Sequence, residues 1–157
     1  MFKKATLKGF TLIEILVVVG LIAILAAITI VAINPAKNFA DTRNTQRSSD
    51  VMQILNAVTQ YTSEQGHSLT AFGTIPTCTT APTWGADPIS AVTTGTPPAG
   101  TINLYTLLVD TYIADIPKDP SGGTDADTGY TICQTAGGRL QVMAPDAENG
   151  KVITVKR

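Results

Sequence analysis

Residues 10–33 read FTLIEILVVVGLIAILAAITIVAI. Twenty of these 24 residues are hydrophobic, and the exceptions are Thr11, Glu14, Gly20 and Thr29. The 19 residues from Ile15 to Ile33 carry no charge. As a helix, that run is roughly 28 Å long, about one hydrocarbon core. It reads as a membrane anchor or as a secretory signal peptide. A signal peptide needs a small-residue cleavage site after its apolar region. Ala26-Ala27 is available but lies inside the run, with Ile28, Ile30, Val31 and Ile33 following. That placement argues against conventional cleavage. The first nine residues carry Lys3, Lys4 and Lys8 and no acid, which favours a cytoplasmic N-terminus.

Glu14 is the one charge in the apolar block. A carboxylate in an apolar helix is costly unless it is paired. Either Glu14 sits near a membrane surface and reaches water, or it pairs with a cation from another subunit.

Lys8-Gly9-Phe10-Thr11-Leu12-Ile13-Glu14, followed by the apolar run, resembles the class III signal of bacterial type IV prepilins and type II secretion pseudopilins. The resemblance implies cleavage between Gly9 and Phe10 by a membrane prepilin peptidase and methylation of the new Phe10 amine. It also implies that Glu14 pairs with the Phe10 amine of a neighbouring subunit in a filament core. The implied fold is α+β: a long N-terminal α-helix, half of it transmembrane or filament core, packed on a small C-terminal antiparallel β-sheet head. The expected segments are a leader at 1–9, an apolar helix at 10–33, an amphipathic half-helix at 34–65, a Thr/Pro/Gly-rich variable segment at 66–101 and the head at 102–157.

Beyond the apolar run, Asn34-Pro35 reads as a kink or as the start of a second helix, because Asn caps helices and Pro is tolerated at their first position. Val51, Ile54, Leu55, Val58 and Tyr61 recur at helical spacing, with Gln53, Asn56, Gln60 and Ser63 opposite. This predicts an amphipathic helix ending near Gly66. The whole helix from Thr11 to Glu64 is about 80 Å long if straight. Asp41, Arg43, Arg47 and Asp50 form a charged cluster on it, read either as a solvated face with i,i+3 and i,i+4 pairs or as inter-subunit ion pairs.

Residues 66–101 hold ten Thr, five Gly and five Pro, with Asp87 as the only acid and no Lys or Arg. That composition predicts an irregular segment with at most short strands. It contains Cys78, whereas Cys133 falls in a predicted strand. In a domain outside the cytoplasm, where disulfides persist, one Cys78–Cys133 bridge is expected; the alternative is two separate thiols. Leu104 to Ala114 reads as a short helix. The order Leu-x-x-Leu, Tyr-Ile, Ile116-Pro117-Lys118-Asp119-Pro120 and Tyr130 is similar to the head of major pseudopilins and related pilins. Three strands follow, at Tyr130–Cys133, Leu140–Ala144 and Val152–Val155, with Gly137-Gly138 and Glu148-Asn149-Gly150 as turns. Leu140, Val142 and Ala144 alternate with Gln141 and Met143, and the three strands predict an antiparallel meander.

Asp119, Ser121, Asp125 and Asp127 share a Gly-containing loop. Clustered oxygens suit Ca²⁺, and the family resemblance implies a calcium site in this region. The spacing does not match an EF-hand, and the alternative is a plain acidic turn. No other cofactor is indicated.

The chain reads as a non-enzyme, with no catalytic residues. Its single histidine, His67, lies in a polar loop, and no phosphate loop, CxxC pair or HExxH stands in the sequence. Trp84 reads as a packing residue. Eleven basic residues against twelve acidic give no dedicated nucleic-acid site. The resemblance implies a structural subunit of a type IV pilus, serving adhesion, twitching motility or DNA uptake. Its partners are then copies of itself in a helical filament, the prepilin peptidase and methylase, and the inner-membrane assembly machinery. It resides in the inner membrane before assembly and in an extracellular filament afterwards. Two alternatives are a major pseudopilin of a type II secretion system and a non-polymerising membrane-anchored adhesin or receptor. The net charge of −1 and mean hydropathy of +0.19 then describe a mixture. Loss of the leader removes Lys3, Lys4 and Lys8, leaving eight basic residues against twelve acidic.

Overall fold

The computed structural model describes residues 9–80 and 85–157. Lys3, Lys4, Lys8 and Trp84 lie outside the described residues. The chain divides into two compact units, one ending at Asn38 and the other spanning Phe39–Arg157.

The first unit is built on α1 (Leu12–Ile33). Its residues are exposed on every side, so it has no polar face to turn towards water. Thr11 begins it as an N-cap in extended conformation. At the other end Asn34 adopts the left-handed conformation (φ 46°, ψ 72°), which Asn tolerates better than most residues. The next helix, α2 (Pro35–Ser63), starts at once. Pro35 fits the first helical position because no donor is needed there. The carbonyl and side-chain oxygen of Asn34 both accept from the Lys37 amide, at 3.1 and 3.3 Å. Of the two sequence-based readings of Asn34-Pro35, the second helix start is the one adopted, so the single helix expected from Thr11 to Glu64 is interrupted here.

In the second unit, α2 buries Val51, Ile54, Leu55, Ala57, Val58 and Tyr61, the spacing of one helical face. A 3₁₀ turn at Leu69–Phe72 follows, anchoring Phe72 in the core. The strands are β1 (Asp87–Ser90), β2 (Ile102–Asn103), β3 (Thr131–Gln134), β4 (Leu140–Ala144) and β5 (Ile153–Lys156), in the sheet order β2-β1-β3-β4-β5. The β3-β4-β5 meander is antiparallel, in registers such as Ile132↔Val142 and Val142↔Val155. Two strands extend it: β1 pairs antiparallel with β3, and β2 pairs parallel with β1. Thus the Thr/Pro/Gly-rich segment contributes an interior strand of the sheet. Ile89, Ile132, Val142, Leu104 and Tyr130 join the α2 residues in one core.

Two local expectations are revised. The helix expected over Leu104–Ala114 is a single turn, α3 (Tyr105–Leu108). Val109 turns extended, and Asp110 takes a positive φ of 70°, so the helical bonding cannot propagate. Leu104 and Leu108 are still buried. Second, β4 does not alternate; all five of its residues are buried. Gln141 stands opposite Cys133 and Met143 opposite Thr131, so they share the face that the disulfide ties down. The chain around Cys78 is bonded alongside β3 in the plane of the sheet, with the Cys78 amide donating to the Gln134 carbonyl and the Gln134 amide to that of Pro76, both 2.8 Å.

Candidate functional site

Gly9 and Phe10 precede α1, and both are exposed. Thr11 and Glu14 form a capping box. Glu14 Oε2 accepts from the Thr11 amide and from Thr11 Oγ1, both at 2.8 Å, and Thr11 Oγ1 accepts from the Glu14 amide at 3.3 Å. The same three-residue spacing therefore gives Glu14 a partner within its own chain. Past Glu14, α1 presents apolar side chains with no polar group except Thr29, whose hydroxyl donates back to the carbonyls of Leu25 and Ala26. Among the described residues, α1 is the one helix long and apolar enough to cross a membrane.

The head is fastened by charge. Arg47 is fully buried, and its guanidinium meets five oxygens. Nε and Nη2 donate to the two oxygens of Asp119 at 2.6 and 3.0 Å, Nη2 also to Ser121 Oγ at 2.7 Å, and Nη1 to Glu148 Oε2 at 2.9 Å and Asn44 Oδ1 at 3.1 Å. Arg43 adds a forked pair to Glu148, at 2.7 and 2.6 Å. The planar guanidinium suits this role because it satisfies several oxygens at once. Asn44 completes the joint: its Nδ2 donates to the Glu148 carbonyl, and its Oδ1 accepts from the Glu148 amide, both 2.9 Å. One face of α2 thus holds the loop after β4 and the Ile116–Pro120 loop together.

The ionisations follow from this packing. Burial works to raise the pKa of Asp119, and the Arg47 and Ser121 hydrogen bonds outweigh it, holding the carboxyl below its usual range. Arg43 and Arg47 pull Glu148 down to about 2. Asp50 goes the other way: burial raises it, opposed in part by the Tyr130 hydroxyl, which donates to it at 2.7 Å. The Tyr130 phenol is itself raised by burial and by Asp50.

The charged cluster of Asp41, Arg43, Arg47 and Asp50 is therefore neither a solvated face nor free for a neighbouring subunit. Its partners are head residues about a hundred positions away in sequence for Arg43 and Asp41, and 72 to 101 away for Arg47. Asp41 is bonded to Asn149 and paired with Lys151, both at 3.2 Å. No spacing within α2 signals these partners. The one available hint was an Arg at a position, Arg47, that falls on the apolar stripe with Val51 and Ile54.

Asp119, Ser121, Asp125 and Asp127 do not converge on one point. Asp119 and Ser121 are engaged by Arg47, Asp125 is paired with Lys118 Nζ at 2.5 Å, and Asp127 Oδ1 accepts from the Gly129 amide at 2.9 Å. This donor set does not fit a calcium site, because its four side chains do not converge and two of them, Asp119 and Ser121, already hold the Arg47 guanidinium. Among the described residues, no group of three or more His, Cys, Asp or Glu is placed to hold a metal. Cys78 and Cys133 form a disulfide. His67 lies on the surface, stacked on Tyr61 with ring centroids 4.2 Å apart.

An apolar N-terminal helix followed by a small, mostly antiparallel five-stranded sheet is an α+β arrangement consistent with the pilin fold. Residues 7–30 match the family model described as the prokaryotic N-terminal methylation motif, so the chain carries the class III signal of type IV pilins and pseudopilins. That signal implies processing by a prepilin peptidase and assembly with pilus machinery, and its family is structural rather than enzymatic. No curated protein and no solved structure matches the chain.

Proposed function

We propose that this chain is a structural subunit of a type IV pilus. In this reading the precursor is cut between Gly9 and Phe10, the Phe10 amine is methylated, and α1 holds the chain in the inner membrane until it is assembled into an extracellular filament. The observation that carries it is α1 itself: an apolar helix, exposed all round, begins directly behind Gly9-Phe10 and carries Glu14 in its first turn as its one charge. Such a surface needs an apolar environment at every stage, first lipid and then the helices of neighbouring copies. Glu14 keeps its capping partners in the membrane and gains the Phe10 amine of a neighbour in the filament core, where each charge lowers the other's burial cost. A membrane-anchored adhesin that never polymerises accounts for Glu14 as a helix cap and gives the Gly9-Phe10 junction no task.

The test is to shear surface filaments from cells and identify their main protein. Recovery of this chain, starting at a methylated Phe10, supports the reading. Absence of the chain from sheared filaments, with the mature form retained in the membrane, refutes it. The pseudopilin alternative rests on the Ile116–Pro120 loop. It is favoured instead if deleting the chain abolishes protein secretion and leaves surface filaments intact.

A further inference from the structure

Outside the internal ion pairs of the head, and besides Asp50, Asp87, Asp110 and Asp115, the described residues include two groups of exposed charges, one at each end of the sheet. At one end of the sheet, β1 and β4 begin while β3 and β5 finish. Arg139 stands there, directly before β4. Lys156 is opposite Gln141, and Arg157 exchanges both backbone hydrogen bonds with Leu140. All three side chains belong to exposed residues, and none forms an ion pair among the described residues. The nearest partner for any of them is neutral: Arg157 Nη1 donates to Asn56 Oδ1 at 3.2 Å.

The opposite end, where β1 and β4 finish, is acidic. The loop carrying Asp125 and Asp127 is bonded to β1 there, with the Thr128 amide donating to the Ile89 carbonyl and the Ala91 amide to that of Asp125. Asp146 follows β4 after Pro145. The cations at this end are already engaged: Arg43 and Arg47 with Glu148 and Asp119, Lys118 with Asp125, and Lys151 with Asp41. Asp127 and Asp146 are exposed and lie outside every ion pair among the described residues. A head with three unmatched cations and one half-buried carboxylate, Asp87, at one end and exposed unmatched carboxylates at the other is complementary to itself in a head-to-tail sense. Such heterologous contacts do not close; they propagate as an open row.

We infer that the partner of each charged end is a second copy of this chain, with Arg139, Lys156 and Arg157 of one head facing Asp127 and Asp146 of the next. This deepens the filament reading and rests on it. Exposed pairs are individually weak. Repeated at every step of a filament whose helices already hold the copies together, they fix register and reject misaligned neighbours.

The experiment uses the full chain in cells with their assembly machinery. R139E/K156E reverses one end, D127K/D146K the other, and a fourth-order variant combines them. D146K alone leaves the Asp127 bond to Gly129 intact, and R139Q/K156Q neutralises without reversal. Membrane-inserted, mature-length protein with the Cys78–Cys133 bridge, read by mass without reduction, reports a folded head. Each reversal is expected to make sheared filaments shed subunits roughly fivefold faster, the scale of two weak pairs. The neutral variant is expected to fall between, and the combined variant to return towards wild type. Filaments indifferent to either reversal, or a combined variant worse than both parents, overturn the inference. If the wild-type chain forms no filaments at all, the subunit reading fails first, which separates the two failures.

Discussion

Replacing Arg47 by Ala removes the cation from the centre of the head. Its side chain and that of Asp119 are 0% and 1% exposed, so the Asp119 carboxylate is left buried with only Ser121 near it. Breaking a buried ion pair by deleting one partner costs about 3–5 kcal/mol, a large share of the roughly 5–15 kcal/mol that holds a domain of this size. For some 120 residues, a loss near 4 kcal/mol lowers Tm by about 15 °C. The assay is thermal unfolding of the full chain in detergent, followed by near-ultraviolet circular dichroism. That signal reports the packing of Tyr61 and Tyr130 in the head and is insensitive to α1. Arg47→Lys is expected to recover part of the loss, since an ammonium replaces the charge and not the fork. A fall of less than about 3 °C for Arg47→Ala would refute the claim that this residue fastens the head. The pH profile checks the same reasoning. Glu148 drops from an ordinary 4.5 to about 2 in the folded head, and Asp119 is also lowered. The unfolded chain therefore binds more protons over this window, so the stabilisation is complete above about 4.5 and is lost as pH falls towards about 2. Asp50 is raised by burial and contributes the opposite slope. Arg47→Ala should flatten the acid limb of the profile.

Further outcomes follow from the same structure. Opening the Cys78–Cys133 bridge by Cys78→Ser with Cys133→Ser lowers stability by up to about 4 kcal/mol for a loop spanning 55 residues, read by chemical denaturation beside the oxidised parent. Tyr130→Phe leaves the buried Asp50 oxygen without its donor and costs about 1–3 kcal/mol in the same assay; an unchanged midpoint would count against that hydrogen bond. Calcium titration leaves the wild-type Tm unmoved, because Arg47 engages Asp119 and Ser121 while Asp125 and Asp127 are held elsewhere, and a calcium-dependent rise in the parent chain would contradict this assignment. Glu14→Ala permits membrane insertion and processing but impairs assembly, whereas Gly9→Val blocks cleavage. Normal filament numbers from the first, or a mature-length product from the second, would tell against the roles given to those residues.

The stretch from Phe10 to Ile33 specified its own structure because hydrophobicity and helix length are local properties. No partner elsewhere in the chain is needed to make 22 residues helical and apolar. The same holds for the stripe from Val51 to Tyr61 and for the meander from Thr131 to Lys156, whose apolar positions and turn residues lie close together in sequence. β1 was hidden for the converse reason. Four residues containing a proline carry little periodicity of their own, and they become a strand because β3 offers an open edge. The length of α3 was likewise decided by the backbone at Val109 and Asp110, after the helical pattern had suggested more. Arg43 and Arg47 make the division plainest. Sequence placed them on a helix in a charged cluster, and helix geometry could offer them only neighbours three or four residues away. Folding brought Asp119 and Glu148 to them across 72 and more residues and excluded water from the joint. Charge is written in the chain, but its partner and its dielectric surroundings exist only once the chain is folded.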